Sequence, residues 1–238
     1  MNPPVSLIAG GTGLVGSHVI SVLSKLSGSQ LILARSYDSS IPQNAKLQLI
    51  DFNDLLLNNF ELKDKINHVY LCLGKKLATF ELGYMQQSSR NSFKLIDFEY
   101  PLSIAKLAYD KGARSISLVS AIGAQKGSIN YYFHIKGKLE DAIKEIGYEN
   151  ICFARPGHLL GKRKDFRGHE IPILETGLKL AAPFMQGPAE NFKQVEAKNV
   201  AVAMVTIYVK KMVVNPICII KISLILKSLS KYHLIVRI

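Results

Sequence analysis

Residues 5–16 read Val-Ser-Leu-Ile-Ala-Gly-Gly-Thr-Gly-Leu-Val-Gly: a short apolar run, a cluster of glycines and the start of an apolar helical pattern. This order predicts a strand, a tight turn and a helix over about residues 14–26. Gly10, Gly13 and Gly16 are spaced so that the chain can turn, its backbone can approach a ligand, and the helix can lie close to the strand. The free N–H groups and positive dipole end of such a helix favour an anion.

A second predicted strand, residues 30–34, follows within the length of one βαβ unit. Glycines alone would indicate only a strand-turn-helix junction, but in this context they are typical of a dinucleotide site. We therefore expect the turn to hold the pyrophosphate of a dinucleotide. The residues expected to contact it are Gly10, Thr12, Gly13, Leu14, Val15 and Gly16.

Arg35 directly follows the second predicted strand, where an acidic residue would bind the ribose hydroxyls of NAD. A guanidinium at this point suits the 2′-phosphate of NADP instead. The sequence thus predicts NADP(H) in preference to NAD(H). The alternative interpretation is that Arg35 is a solvated charge at a strand end.

The composition predicts a single soluble domain. The chain has 238 residues, 48% of them apolar, which is enough for one open α/β sheet. Cys72, Cys152 and Cys218 cannot all pair and lack metal-ligand spacing, so we expect reduced thiols and no metal site. The first apolar run is too short for a secretory signal, and no apolar stretch is as long as a membrane span. These features together predict a cytoplasmic protein.

The formal net charge of +12 is unevenly distributed. After Glu196 there are seven basic residues and no acidic one, so the first 196 residues carry only +5. A surplus of that size is ordinary for a protein that binds a polyanionic cofactor, and no zinc-finger or RNA-binding motif accompanies it. We therefore expect no nucleic-acid partner.

The remaining chain alternates between strand and helix patterns. Further strands are predicted at residues 46–50, 68–73, 115–119 and 151–154, and helices at residues 97–110 and 132–146. Strands separated by helices require crossover connections, which predict a doubly wound parallel sheet of the Rossmann type. Ligands of such sheets bind at the carboxyl ends of the strands.

The predicted strand ends supply further candidate cofactor contacts. Asp51 could reach an adenine amino group and Phe52 could stack on the adenine ring, although Asp51 could equally cap the next helix. Leu73 and Gly74 end the fourth strand, Ser120 the fifth and Arg155-Pro156 the sixth. We expect all of these to lie along one edge of the sheet.

Tyr132 and Lys136 lie one helical turn apart on the same face of a predicted helix. A free tyrosine has a pKa of about 10, and a nearby cation lowers that value by stabilising the phenolate. The pair therefore predicts an acid/base tyrosine with an activating lysine, which could also hold a nicotinamide ribose. Ser120, twelve residues before Tyr132, is the candidate for orienting a substrate oxygen.

Four stretches together resemble the atypical short-chain dehydrogenase/reductases, and among them the Tat-interacting-protein-like oxidoreductases and their bacterial relatives. The stretches are Gly10-x-x-Gly13-x-x-Gly16, Leu-Val-Ser120-Ala-Ile-Gly-Ala, Tyr132-x-x-x-Lys136-Gly137, and Ala-Arg155-Pro156-Gly157-His-Leu-Leu-Gly161-Lys-Arg163 with the Asp165-Phe-Arg167 that follows. The resemblance covers about residues 5–205. It implies an NADP(H)-binding Rossmann domain in which Tyr132 is the acid/base, Lys136 activates it and contacts the ribose, and Pro156 lies near the nicotinamide.

The chain departs from the family pattern at two places. The family usually carries a Ser-Ser pair after the fifth strand, whereas this chain has Ser120-Ala121. The pattern is also lost after Lys211, so we expect a domain of residues 1–211, with a small substrate-side segment from about residue 157, and an atypical basic apolar segment at residues 212–238. That segment could add an edge strand, remain undocked or lie on a membrane surface as a helix.

The function expected from these features is hydride transfer between NADPH and a small carbonyl or alcohol substrate. The alternative is a catalytically weak NADPH-binding module that acts through a protein partner, which the missing second serine favours. His134, His158 and His169 are interpreted as structural or surface residues, and Arg155 and Arg163 as anchors of the loop after the sixth strand.

Overall fold

The computed structural model describes residues 3–157, 159–160, 195–210 and 217–221. Seven strands form one parallel sheet: β1 (Val5–Ala9), β2 (Ser29–Ala34), β3 (Lys46–Leu49), β4 (His68–Leu71), β5 (Ser115–Val119), β6 (Asn150–Arg155) and β9 (Ile217–Lys221). Two short strands, β7 (Leu159–Leu160) and β8 (Val195–Glu196), pair with each other. The large sheet has the order β3-β2-β1-β4-β5-β6-β9. The prediction of a doubly wound parallel Rossmann-type sheet is confirmed.

Helices connect the strands on both faces of the sheet. They are α1 (Leu14–Leu23), α2 (Phe52–Leu56), α3 (Thr79–Gly83), α4 (Gln87–Lys94), α5 (Tyr100–Asp110), α6 (Tyr131–Lys144) and α7 (Ala197–Lys210). A π-helical segment, Leu95–Glu99, joins α4 to α5. Among these helices, none combines the length and the apolar content needed to cross a bilayer.

The long helix around the π-helical segment begins earlier than the sequence predicts. The apolar pattern indicates a start at residue 97, but α4 begins at Gln87. Phe93 is the one fully buried residue of α4, whose other side chains are largely polar, so α4 has no apolar stripe to reveal it. Strand β4 is shorter than predicted and ends at Leu71.

The sheet separates two apolar layers. Along β1, Leu7 and Ala9 pack with the layer that holds α5 and α6, whereas Ile8 packs with the layer that holds α1 and α7. Such alternation follows from the period of two along a strand, and both faces are apolar because both are covered. A parallel sheet of this kind leaves the carboxyl ends of its strands as the place for a site.

The last described strand belongs to the segment with no family pattern. Strand β9 pairs in parallel with β6, from Ile151 with Ile217 to Arg155 with Lys221. Of the three alternatives for residues 212–238, the edge strand is therefore what residues 217–221 form. The rest of that segment and most of the substrate-side segment lie outside the described residues, and the proposed domain boundary at Lys211 stays a prediction.

The glycine-rich turn is packed tightly against its neighbours. Gly10 has a φ of +83°, and a Cβ on it would lie 2.6 Å from the backbone of Cys72. A Cβ on Gly16 would overlap the carbonyl oxygen of Gly10. These two glycines thus allow the start of α1 to lie directly against the turn, as the sequence predicts.

We expect Gly16→Ala to destabilise the fold by about 1–3 kcal/mol, because the added methyl group overlaps backbone that cannot move without distorting β1. In a helix interior alanine is otherwise more favourable than glycine by roughly 1 kcal/mol. A loss of stability in Gly16→Ala would therefore be caused by the overlap. Urea unfolding measures the change. Gly127→Ala is the matched control, since nothing lies within 4 Å of its added Cβ. Equal midpoints for the two variants would contradict this account of the turn.

Candidate active site

The glycine-rich turn presents its middle to solvent. Thr12 and Gly13 are exposed, and α1 begins at the next residue with Gly13 as its N-cap. The N–H of Gly13 donates to the carbonyl of Gly10 at 3.0 Å, which closes the turn. The first turn of α1 contains no acidic side chain. An anion at this end of α1 would meet the positive end of the helix dipole without a competing carboxylate.

Leu14, Val15 and Gly16 lie within the first turn of α1. The Val15 side chain is buried in the apolar layer of α1 and α7, so only its backbone is available to a ligand. Their predicted contacts with a cofactor stay predictions.

The ends of β2 and β3 carry a polar cluster. Asp51 caps α2, since its Oδ1 accepts from the backbone N–H of Asn53 at 2.9 Å. The hydroxyl of Tyr100 donates to Oδ1 of Asn53 at 2.7 Å. Burial and the Asp51 carboxylate raise the pKa of Tyr100, while the exposed Arg35 opposes them. Asn53 thus links Asp51 to Tyr100, and Arg35 directly follows β2 at the same edge of the sheet.

The structure corrects one predicted contact in this region. Phe52 is 3% exposed, and its ring packs on the ring of Tyr100 with centroids 5.5 Å apart. It was expected to stack on adenine, but its face is already covered within the core. The capping alternative for Asp51 is observed, and a role of Asp51 in binding adenine stays a prediction.

The loop after β4 is held from two sides. Leu73 is half-buried and Gly74 is exposed. The backbone N–H of Lys75 donates to Oδ2 of Asp97 at 2.8 Å, and the Lys75 Nζ donates to the Ser92 hydroxyl at 2.8 Å. This loop is therefore attached both to the π-helical segment and to α4.

Lys136 is buried and ion-paired. Its side chain is 6% exposed, and its Nζ lies 2.8 Å from Oδ1 of Asp97, whose side chain is 2% exposed. Burial opposes the charged form of Lys136, but the charges of Asp97 and Tyr132 outweigh it, so that the pKa of Lys136 lies above its ordinary value. The Tyr132 ring packs 5.6 Å from the ring of Phe93 on α4. The predicted phenol and ammonium thus lie together on α6.

Ser120 points to a different partner from the one predicted. It is 3% exposed, and its hydroxyl donates to Oε1 of Glu140 at 2.5 Å. The guanidinium of Arg155 also binds the Glu140 carboxylate, with Nε 2.9 Å from Oε1 and a second contact from its terminal nitrogen to Oε2. The serine proton is therefore directed at Glu140, and the following residue, Ala121, has no hydroxyl. A role of Ser120 in orienting substrate stays a prediction.

The end of β6 lies beside the loop after β5. Pro156 is buried, and its carbonyl accepts from the N–H of Ile122 at 3.1 Å. Arg155 anchors this region through Glu140, in agreement with the predicted anchoring role. The ring of His134 contacts the carbonyl of Lys126 at 2.5 Å, in agreement with a structural role. His158, Arg163 and His169 lie outside the described residues.

Two charged residues of the site were not identified from the sequence. Glu140 follows Lys136 by one helical turn, and this spacing could have placed it on the same buried face of α6. Asp97 lies within the sequence Leu-Ile-Asp-Phe-Glu, where nothing distinguishes it from a surface carboxylate. Only the packing of the helices shows that Asp97 faces Lys136.

No protein-family model matches the chain. Similar curated proteins are found in fungi. The chain is 31% identical over 173 residues to the mitochondrial protein FMP52 of Candida albicans, covering 72% of this chain and 74% of that protein. It is 33% identical over 174 residues to the mitochondrial protein fmp52 of Emericella nidulans, covering 70% of this chain and 71% of that protein.

Solved structures share the fold at low sequence identity. A UDP-glucose 4-epimerase of Thermotoga maritima with UDP-glucose has a TM-score of 0.65 at 14% identity, over 96% of this chain and 83% of that one. A 3-oxoacyl-acyl-carrier-protein reductase of Brucella melitensis in complex with NAD has a TM-score of 0.66 at 14% identity, over 92% of this chain and 95% of that one. The fold is thus a Rossmann-type α/β fold that the chain shares with these enzymes.

These findings correct two expectations. The relatives are fungal proteins rather than the bacterial relatives of the Tat-interacting-protein-like oxidoreductases. The Rossmann-type fold that the resemblance implies is shared with the solved structures. The prediction of a cytoplasmic protein is wrong, because the relatives are named mitochondrial. Cysteine usage does not distinguish the cytosol from the mitochondrion. The chain belongs to the FMP52 family of fungal mitochondrial proteins.

Proposed function

We propose that this protein is an NADPH-dependent oxidoreductase that transfers hydride to or from a small carbonyl or alcohol substrate. The observation that carries the proposal is the buried Lys136 ammonium, which is paired with Asp97 and interacts with Tyr132 at the carboxyl edge of the sheet. A buried ion pair costs free energy unless its geometry is good, and it gives a phenol a fixed cationic neighbour. A protein that only binds a nucleotide has no need of that arrangement.

The residues of the edge fit a nicotinamide dinucleotide. The exposed Thr12 and Gly13 at the start of α1 would hold the pyrophosphate through backbone N–H groups. Arg35 would bind the 2′-phosphate, and Asp51 the adenine. Leu73, Gly74 and Pro156 would line the nicotinamide side, where Lys136 would contact the ribose. The 3-oxoacyl-acyl-carrier-protein reductase with a similar fold was solved in complex with NAD, which supports a cofactor of this class.

A bound nicotinamide would supply or accept the hydride. The phenol of Tyr132 would donate a proton to the substrate oxygen in the reducing direction and accept one in the oxidising direction. Lys136 favours the charged form of the phenol, and Asp97 keeps the Lys136 ammonium in place. Ser120 could accept a hydrogen bond at its oxygen, but it could donate one to the substrate only after leaving Glu140.

One observation favours a second function. The hydroxyl of Ser120 is engaged by Glu140, and Ala121 offers none, so no serine at the end of β5 is free to donate to a substrate oxygen. The same fold could then bind NADPH with little turnover and act through a protein partner. Turnover decides between the two functions.

We expect purified protein to oxidise NADPH in a screen of carbonyl compounds, and Tyr132→Phe to reduce kcat by about 10²–10⁴-fold, as the loss of a general acid does. Absorbance at the nicotinamide band measures the rate. Tyr131→Phe is the matched control, because Tyr131 is the preceding residue of α6 and also packs on Phe93. Absence of turnover in the native protein with intact NADPH binding would favour the binding module.

Arg35→Ala should remove most of a preference for NADPH over NADH, worth about 1.5–3 kcal/mol for a charged hydrogen bond. Isothermal titration with both cofactors measures the preference. In the control variant Arg35→Lys, which keeps the charge but loses the planar fork, part of the preference should remain. Equal affinity of the native protein for NADPH and NADH would contradict the assignment.

Gly13→Val should abolish nucleotide binding, because its side chain would occupy the exposed end of α1 where the pyrophosphate is expected. A Cβ at this position lies 3.2 Å from the Gly10 carbonyl, so we expect a folded protein with slightly reduced stability. Circular dichroism checks the fold, and fluorescence titration with NADPH measures the affinity. Native-like binding by a folded Gly13→Val protein would show that the phosphates bind elsewhere.

A further inference from the structure

Asp97 is a carboxylate within the core of the protein. It lies in the π-helical segment Leu95–Glu99 and is 2% exposed, and its neighbours Ile96 and Phe98 pack against apolar clusters. A π-helical segment adds one residue to a helical turn and changes the direction in which the following side chains point. An ionised carboxylate in such surroundings is unfavourable unless both of its oxygens are satisfied.

Both oxygens of Asp97 have partners, and the partners come from different parts of the site. Oδ1 accepts from Nζ of Lys136 on α6 at 2.8 Å. Oδ2 accepts from the backbone N–H of Lys75 in the loop after β4, also at 2.8 Å. A Cβ on Gly74 would lie 3.5 Å from Oδ1, so the backbone of this loop passes close to the carboxylate.

We propose that Asp97 is a positioning residue: its carboxylate holds the Lys136 ammonium beside Tyr132 and at the same time fixes the backbone of residues 73–75. The proposal rests on the proposed function, in which Lys136 contacts the ribose and residues 73–74 line the nicotinamide side. Asp97 itself reaches neither cofactor nor substrate in this arrangement. It sets the distance between the lysine, which would contact the ribose, and the loop, which would line the nicotinamide side.

The charges around Lys136 indicate what the loss of Asp97 does. Burial lowers the pKa of Lys136, whereas Asp97, Tyr132 and Glu140 raise it and prevail. Tyr132 and Glu140 lie on α6 itself, and Asp97 is the residue of the π-helical segment whose charge acts on Lys136. Asp97→Asn keeps the shape but removes that charge, so burial then favours the neutral amine. The ammonium of Lys136 would deprotonate at lower pH than in the native protein, and activity at alkaline pH would fall first.

The first experiment measures the protonation of Lys136 directly. Protein labelled with ¹³C and ¹⁵N at its lysines is titrated by NMR, and the Lys136 signal is assigned by its loss in Lys136→Met. We expect Asp97→Asn to reduce the proton affinity of Lys136 by about tenfold or more. Glu99→Gln is the matched control, because it removes a carboxylate from the same π-helical segment, where Glu99 pairs with Lys94 at 2.8 Å on the surface. It should leave the Lys136 titration unchanged.

The second experiment tests the contact with the loop. Lys75→Pro removes the backbone N–H that donates to Asp97, whereas Lys75→Ala keeps it, so the difference between the two variants measures that hydrogen bond. We expect Lys75→Pro to bind NADPH about tenfold more weakly than Lys75→Ala and to shift the Lys136 signal. The loop lies outside the helices and strands, so both variants are expected to fold.

The outcomes separate this proposal from the proposed function. Absence of turnover in the native protein would overturn the proposed oxidoreductase function. The Lys136 titration would still support or contradict the role of Asp97. An Asp97→Asn protein with native Lys136 titration and a native pH profile of kcat would overturn the positioning role. If Asp97→Asn does not fold, the comparison of Lys75→Pro with Lys75→Ala tests the proposal instead. Equal NADPH affinities and equal Lys136 signals in these two variants would contradict it.

Discussion

The ion pair between Lys136 and Asp97 is the contact on which the candidate site depends. Both side chains are almost completely buried, and each charge costs several kcal/mol to remove from water. Burial therefore disfavours the charged form of each group unless the other is present. Because Asp97 also binds the backbone of Lys75, the pair fixes α6, the π-helical segment and the loop after β4 in one arrangement. The position of Tyr132 on α6 follows from that arrangement.

Helix α6 has charged side chains on its buried face. Lys136 is paired with Asp97, and one turn later Glu140 is paired with Arg155 and accepts from Ser120. Charged residues at i and i+4 usually mark a solvent-exposed face, but here both are nearly fully buried at the carboxyl ends of the strands. The helix is therefore anchored by ion pairs to β6 and to the π-helical segment, as well as by apolar packing. Ser120 takes part in this anchoring, because its hydroxyl donates to Glu140. This observed contact differs from the predicted role of Ser120, which is to orient a substrate oxygen.

The architecture could be predicted because its signals are local. The turn at residues 5–16, the alternation of strand and helix patterns, and the spacing of Tyr132 and Lys136 each depend on residues close together in the chain. Parallel pairing then follows from the crossovers, since strands separated by helices cannot form hairpins. The localisation was not predicted correctly, because cysteine content and apolar pattern do not distinguish the cytosol from the mitochondrion.

The sequence by itself determined the Rossmann fold, the position of the glycine-rich turn and the relative position of Tyr132 and Lys136 on one helix. Only the tertiary structure decided which side chains meet across elements. In the folded protein Phe52 packs on Tyr100, and the Ser120 hydroxyl donates to Glu140. Asp97 lies beside Lys136, and residues 217–221 form the strand at the sheet edge. The reason is physical. Periodicity specifies which face of an element is apolar, whereas a buried charge is stable only where a partner from another element reaches it, and that partner is distant in the chain.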